Sequence, residues 1–495
     1  MNYSKATTLR AYSLPRLQDL LFISIFIAAL LLGPRMLNMD GDFPRHLLTG
    51  QFILETKTIP TTEPFAYPYQ GKPYVSHEWL TDIVFYLIYK FSGLAGIAFL
   101  SAFLLATTFF LLYAYSSSQF NLRLPTIFLI IWGAAVTSLN WVTRPHLFSM
   151  LFLALWLVWL DKLYREENVQ FWQFPLLMVI WSNMHGEFIA GILALIAYMA
   201  GWLWDYLFAN ELAKKSIGRN LFLATGLSFI ASLINPAGFG PWKTLLGFVN
   251  NPYLMSRMYE AKPPDFSQPG FLVLLGLLSF SVFLLAIKKR PLSTSHAFLL
   301  AGFSVMSLIA ARNVHLYGIV APFVLAGAIS KPKENGLLLR LENSLAYVEQ
   351  NLRGFVWPLI AIVACALFLS IGTIRNSYKF NPEMFPIQAT NWISMHPQSG
   401  NLFNDLNWGG YLAMNLWPGQ SVFVDSMADT TGELTSEYES VITLAPKWRD
   451  ILAKYRVEWA VIRTSSQLAE ALEQEGWAVL YEDKTAVILR NKAMP

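Results

Sequence analysis

The chain has 495 residues, 55% hydrophobic and 14% charged, with a mean hydropathy of +0.41 and a formal net charge of +4. Soluble domains carry roughly 25% charged residues, so a soluble globular protein is excluded and a polytopic helical membrane protein is expected. The net charge is too small to point to a charged partner, no nucleic-acid partner is expected, and the sole cysteine, Cys365, cannot form an internal disulfide.

In chain order, the first apolar run, 20–34, follows Lys5, Arg10 and Arg16 and lacks a small-residue cleavage site, so it reads as a retained first span. Further apolar runs at 94–115, 125–139, 147–160, 171–184, 188–207, 221–234, 271–287, 297–311, 316–329 and 355–374 bring the expected spans to eleven. The segment 79–91, WLTDIVFYLIYKF, is too short for a comfortable span and carries Asp82 and Lys90. Leu80, Val84, Leu87 and Phe91 form one apolar stripe at helical spacing, which suits a helix lying in the interface as well as a crossing. Charge decides between them. If 79–91 does not cross, the clusters Lys214/Lys215/Arg219 and Lys288/Lys289/Arg290, with Lys331, Lys333, Arg340 and Arg353, fall on the side of the N-terminus. The positive-inside rule makes that side the cytoplasm and puts everything after Arg375 outside.

The outer rim then holds a long first loop (35–93), a TRPH turn (143–146), an NMHGEF turn (183–188) and an ARNVH turn (311–315). Of seven histidines, His46, His77, His146, His185 and His315 sit on this rim, although histidine played no part in placing the spans. The first loop supplies Asp40, Asp42 and His46, then the adjacent His77 and Glu78. Carboxylates two apart with imidazoles in reach either hold a hard divalent cation such as Mg²⁺ or Mn²⁺ through Asp40 and Asp42, or leave one carboxylate to act as general base while its neighbours orient it. Arg144 and Arg312 stand at helix ends near histidines, suited to a phosphate, or else to snorkelling at the interface. Glu187 and Asp265 are candidates for a further carboxylate. Asp40, Asp42, His46, His77, Glu78, Arg144, His185 and Arg312 are expected to line one outward-opening cavity.

The tail, 376–495, has higher charge density, and its apolar runs NLFND, SVFVDS, EWAVIRT, WAVLYE and TAVILR have strand length. They alternate with WRDILAKY and QLAEALEQ, so a small α/β domain is expected after a transmembrane domain covering 1–375. In NDLNWGGYL, Asn404 and Asp405 read as a strand end before a tight turn and a helix start; Asp425 and Asp429 read as ligand groups or helix caps.

The motifs MDGDFPRHLLTGQFIL, KPYVSHEWL, VTRPHLFS, WSNMHGEF, ARNVHLYGIVAP, NDLNWGGYL and VFVDSMAD together resemble a group of bacterial multipass proteins classed with the GT-C superfamily of membrane glycosyltransferases. The resemblance covers nearly the whole chain. It implies a bacterial inner-membrane enzyme that transfers a sugar from a polyprenyl-phosphate carrier to a glycan, lipid or protein acceptor on the outer face. It also implies a first-loop carboxylate, Asp40 or Asp42, as base or metal ligand. The chain has Asp-Gly-Asp where the mannosyltransferases of that superfamily have an adjacent Asp-Glu pair, and Met427 where related proteins often have Arg. Asp42 is the preferred base, with Asp40, His46 and Glu78 beside it; His77, Arg144, His146, His185, Glu187, Arg312 and His315 form the expected substrate-binding set. The competing readings are a lipid or solute transporter or flippase, and a non-catalytic scaffold for envelope assembly.

Overall fold

The structure, a computed structural model, describes residues 14–209, 214–287, 292–329, 336–350, 352–427 and 431–492; Lys5, Arg10, Lys288, Lys289, Arg290, Lys331, Lys333 and Asp429 lie outside them. Each of the eleven apolar runs falls on a helix. Five helices are long and apolar enough to cross a membrane: Leu17–Asn38, Trp79–Phe120, His146–Tyr164, Phe188–Phe208 and Pro269–Ile287. The others are shorter, such as Leu124–Thr137 and Val356–Leu369, and a 14-residue helix covers only about 21 Å of a core about 30 Å thick. Five of the eleven expected spans are thus supported by helix length and composition. Val314–Ala328 is apolar on every face and buried along almost its whole length, packing against Leu124–Thr137, Thr294–Ile309 and His146–Tyr164 as the core of the bundle.

Residues 79–91 belong to the long helix Trp79–Phe120, which is broken at Gly93 (φ 65°, ψ −161°), a left-handed conformation that glycine adopts without a Cβ clash. Residues 79–92 are thereby set off from the apolar run that follows. A second difference from the sequence reading lies at 337–350, a helix where only a basic loop was expected. Its Glu342 accepts from the backbone amides of Arg123 and Leu124, at 2.8 and 2.6 Å, at the start of Leu124–Thr137. Its Glu349 accepts from the amide of Leu17 at 2.8 Å, at the start of the first helix. Carboxylates at two helix N-termini meet donors that have no partner within the helix.

The tail carries one four-stranded sheet of order β1-β2-β4-β3, with β1 (Asn401–Asn404) parallel to β2 (Val457–Arg463), and β4 (Ala486–Arg490) antiparallel to both β2 and β3 (Ala478–Glu482). Helices Trp448–Lys454 and Gln467–Gln474 accompany it. Four of the five expected strands are present; SVFVDS is not one of them. Its amides are used elsewhere: Val422 exchanges backbone bonds with Phe65 and Tyr67 of the first loop, and the Asn404 side chain bonds the amides of Phe423 and Val424 and the carbonyl of Val424. The tail thus leans on the first loop. NDLNWGG forms the contact, with the 3-10 turn Leu406–Trp408 leading into helix Gly409–Leu416, which packs on helix Phe43–Thr56. A Cβ on Gly41 would collide with the carbonyl of Asn407, and one on Gly410 would lie 3.0 Å from the Cβ of Arg45.

Candidate active site

The first loop turns directly from the end of helix Leu17–Asn38 into helix Phe43–Thr56, which has Pro44 in its first turn. Asp40 and Asp42 lie in that turn, with the amide of Asp42 donating to Asp40 Oδ1 at 3.1 Å. Arg144, from the TRPH turn, donates through Nε to Asp40, through Nη2 to Asp42 Oδ2 at 2.7 Å and through Nη1 to Glu260 at 3.1 Å. The remaining oxygen of Asp42, Oδ1, accepts from the hydroxyl of Ser426 in the tail.

Beside this knot runs a file of alternating carboxylates and imidazoles. His46 Nδ1 lies 2.7 Å from Asp82 and 4.0 Å from Glu78. Glu78 lies 3.8 Å from His77 and 3.4 Å from His185. His185 reaches Glu187 at 3.5 Å, and Glu187 reaches His315 at 3.1 Å. His146 closes the file, its ring centroid 5.3 Å from that of His315, while its Nε2–H donates to the carbonyl of Asn140 at 2.7 Å. Nδ1 of buried His315 has no hydrogen-bond partner among the described residues. The expected single cavity is thus two linked groups, the carboxylate–Arg144 knot and the histidine file. Arg312 lies on the half-buried 3-10 turn Ala311–Asn313, and Asp265 is exposed and engaged with Ser267 and Gln268, so it does not join them.

Charge separates the two first-loop carboxylates. Burial works against ionising Asp40, but Arg144 outweighs it and holds the carboxyl below its usual range. Enclosure by protein and then the neighbouring Asp40 push Asp42 up to about 6, against the pull of Arg144. Burial opposes a charge on His46 too, yet Asp82, followed by Glu78 and Asp42, lifts its imidazole to about 9. Glu78 is lowered because His77, His46 and His185 outweigh its burial, and Glu187 is held well below its usual range by His315 and His185 against the same penalty. Two carboxylates two residues apart therefore differ, one firmly ionised and one poised near neutrality.

Several residues of this arrangement carry no signal in the sequence. Glu260 sits in an unremarkable loop, and Ser426 is one serine of a tail segment. Asp82 could have been found, because it stands one helical turn after Glu78. Arg45 is fully buried behind the site; it bonds Glu63 at 2.9 Å, lies 3.5 Å from Asp425 and stacks its guanidinium 4.0 Å from the ring centre of Phe65. As to a divalent cation, the oxygens of Asp40 and Asp42 are committed to Arg144, Ser426 and a backbone amide. No group of three or more His, Cys, Asp or Glu side chains among the described residues could hold a metal ion. This donor arrangement does not fit a cation held by Asp40 and Asp42.

A cleft of about 470 Å³ adjoins the site, lined mainly by apolar atoms of Trp79, Leu80, Val179, Ile180 and Ile234, with Asn183 at its edge. Trp79 follows Glu78 in the chain and donates from its indole to Asn183 at 2.8 Å, two residues before His185.

The fold resembles solved structures across most of the chain. The Archaeoglobus fulgidus oligosaccharyltransferase in its apo form aligns with a TM-score of 0.54 at 12% identity, covering 89% of this chain and 69% of that one. The archaeal oligosaccharyltransferase AglB of Archaeoglobus fulgidus, in complex with an inhibitory peptide and a dolichol-phosphate, aligns with the same TM-score and coverages at 11% identity. So does the Archaeoglobus fulgidus oligosaccharyltransferase tethered to an acceptor peptide containing the NVT sequon. The chain has an oligosaccharyltransferase-like fold. At these identities the likeness is one of fold; no protein-family model matches the sequence, and no curated protein matches it.

Proposed function

We propose that this protein is a membrane glycosyltransferase that moves a sugar from a polyprenyl-phosphate carrier to a glycan, lipid or protein acceptor at the outer face of the membrane. The observation that carries this reading is the pair Asp40/Asp42, both gripped by Arg144, beside a histidine file and an apolar cleft between helices. A base with its pKa near the working pH is the one that removes a proton most effectively, which favours Asp42 over Asp40. The lipid chain lies in the cleft beside Trp79, with its phosphate at the rim. Asp42 takes the proton from the acceptor, whose freed electron pair attacks the anomeric carbon. The bond from that carbon to the phosphate oxygen breaks, its electrons stay on the phosphate, and polyprenyl phosphate departs. Arg312 with His77, His185 and His315 meets the charge on the leaving phosphate, while His146, whose one N–H is given to the carbonyl of Asn140, packs against His315 without contributing a donor; Glu187 orients His185 and His315, and Arg144, Asp40, His46 and Glu78 keep Asp42 in place. The oligosaccharyltransferase-like fold supports this reading, and the distribution of Lys and Arg supports an outward-facing site.

The test uses the purified full-length protein in lipid nanodiscs, a panel of short-chain polyprenyl-phosphate hexoses carrying radiolabel in the sugar, and a cell-envelope extract as acceptor source. Label should move from lipid to acceptor. Asp42→Asn keeps the size of the side chain and removes the proton acceptor, so turnover should fall by a factor on the order of 10² to 10⁴ while donor binding persists. Full turnover by Asp42→Asn, with loss in Asp40→Asn, would assign the base to the other carboxylate. Movement of intact labelled lipid between leaflets without sugar release would replace the reading with transport.

A further inference from the structure

We infer that the C-terminal domain completes the site: Ser426 is the positioning residue that fixes the carboxylate of Asp42. This rests on the reading of Asp42 as general base. Asp42 is held at both oxygens, Oδ2 by Arg144 Nη2 at 2.7 Å and Oδ1 by the hydroxyl of Ser426. An ionised carboxylate only accepts, so the serine must donate, and two donors on opposite oxygens leave the group one orientation. Arg144 alone would not achieve this, because its fork is divided among Asp40, Asp42 and Glu260.

Ser426 is itself exposed, and an exposed serine on a loose loop would position nothing. The segment that delivers it is fixed residue by residue. Val422 is bonded through its backbone to Phe65 and Tyr67. Phe423 and Val424 are bonded by the side chain of Asn404 at 2.8 and 3.3 Å. Asp425 is buried 3.5 Å from Arg45, the residue that precedes His46, and accepts from the amide of Met427 at 2.8 Å. The arm is therefore anchored to the first loop at Phe65 and Tyr67 and to the site helix at Arg45. Close approach of Gly41 to Asn407 and of Gly410 to Arg45 keeps the two bodies in register. This gives NDLNWGG and VFVDS a shared role: Asn404 and the glycines set the arm, and the arm sets Asp42. A bare structural contact would have no need to end on the second oxygen of the base.

The experiment compares Ser426→Ala, Ser426→Thr, Asp42→Asn and the Ser426→Ala/Asp42→Asn double variant in the full-length protein, using a polyprenyl-phosphate hexose that the unmodified protein consumes. Ser426→Ala should lower kcat by about 10- to 100-fold with KM unchanged, the scale expected when a reacting group loses its alignment. Ser426→Thr, which keeps the hydroxyl, should restore it, and Ser426→Ala should cost nothing further once Asp42 is Asn. In parallel, carbodiimide and glycine ethyl ester label carboxyls at neutral pH, read by mass spectrometry. Asp42 should label several-fold faster in Ser426→Ala, with Glu63 unchanged and the Thr variant slow. Unchanged Asp42 labelling, an unchanged kcat in Ser426→Ala, or full additivity in the double variant overturns the inference. An active Asp42→Asn, or an unmodified protein that consumes no donor, overturns the functional reading instead, and the labelling alone then decides whether Ser426 holds Asp42.

Discussion

Replacing Arg45 by Met tests how the tail is attached to the site. Arg45 and both of its carboxylate partners are shut away from water, with side-chain exposures of 0% for Arg45, 1% for Glu63 and 0% for Asp425. Met keeps much of the apolar contact with Phe65 but removes the cation, leaving two buried carboxylates facing each other. Part of the demand is still met: Glu63 keeps the amides of Phe65 and Ala66 at 2.8 and 3.0 Å, and Asp425 keeps that of Met427. Removing one partner of a buried ion pair costs about 3–5 kcal/mol, and here one cation serves two anions, so about 4 kcal/mol is expected even after those residual bonds. The assay is thermal unfolding of the full-length protein in nanodiscs, followed by tryptophan fluorescence and by accessibility of the tail to protease. Arg45→Met should lower the transition by many degrees. Adding Glu63→Gln and Asp425→Asn, which removes the stranded charges, should recover a large part of that loss. Arg449→Ala, which breaks the exposed pair with Glu475, serves as a control with little expected effect. If Arg45→Met shifts the transition no more than Arg449→Ala does, the triad does not hold the tail to the first loop.

Transfer should lose activity as pH falls through about 6, where Asp42 takes up a proton and ceases to be a base; a rate profile flat across that range would count against it. His46 works in the opposite direction: its pKa is raised by folding, so the stability it contributes is full below about 6.5 and is lost as pH rises through about 9, visible in unfolding curves taken across that window and absent in His46→Gln. Gly41→Val should part the tail from the site through collision with Asn407, exposing the 376–400 connection to protease; undiminished protection would mean the two bodies can slide past each other. Because Arg144 takes one oxygen of each carboxylate, and the amide of Asp42 and the hydroxyl of Ser426 take the others, chelator should leave turnover within about two-fold of its untreated value, and a larger loss restored by Mn²⁺ would show that Arg144 yields its place.

The apolar runs announced the helices because a membrane protein writes its core as unbroken hydrophobicity, and the four strands of the tail announced themselves by their length and by the helical stretches between them. SVFVDS misled for a physical reason: its composition is that of a strand, but its hydrogen bonds go to an asparagine side chain and to a loop more than 350 residues away in sequence. The carboxylates and histidines of the rim were visible as chemistry placed where chemistry is rare. Their partners were not. Glu260 meeting Arg144, Glu63 meeting Arg45 and Ser426 meeting Asp42 are consequences of tertiary packing, and no local pattern encodes them. Nor did length alone decide which apolar runs are full spans, since a helix enclosed by its neighbours, as Val314–Ala328 is, has no need to match the bilayer by itself.

The paired glutamates of helix Leu337–Gln350 bear on how the protein is made. The amide of Leu17 and the carboxylate of Glu349 that receives it are 332 residues apart in the chain. At synthesis rates of about 5–20 residues per second, the first helix waits roughly 20 to 60 s after its own emergence before the group that secures its starting turn exists. For all of that interval the first apolar segment, and for its later part the third, whose amides lie 218 and 219 residues from Glu342, are inserted but unfastened, and a single late amphipathic helix ties both of them down. Assembly of the bundle is therefore closed from its C-terminal side, and a chain truncated before residue 337 would hold its N-terminal helices in the bilayer without the two clasps that fix where they begin.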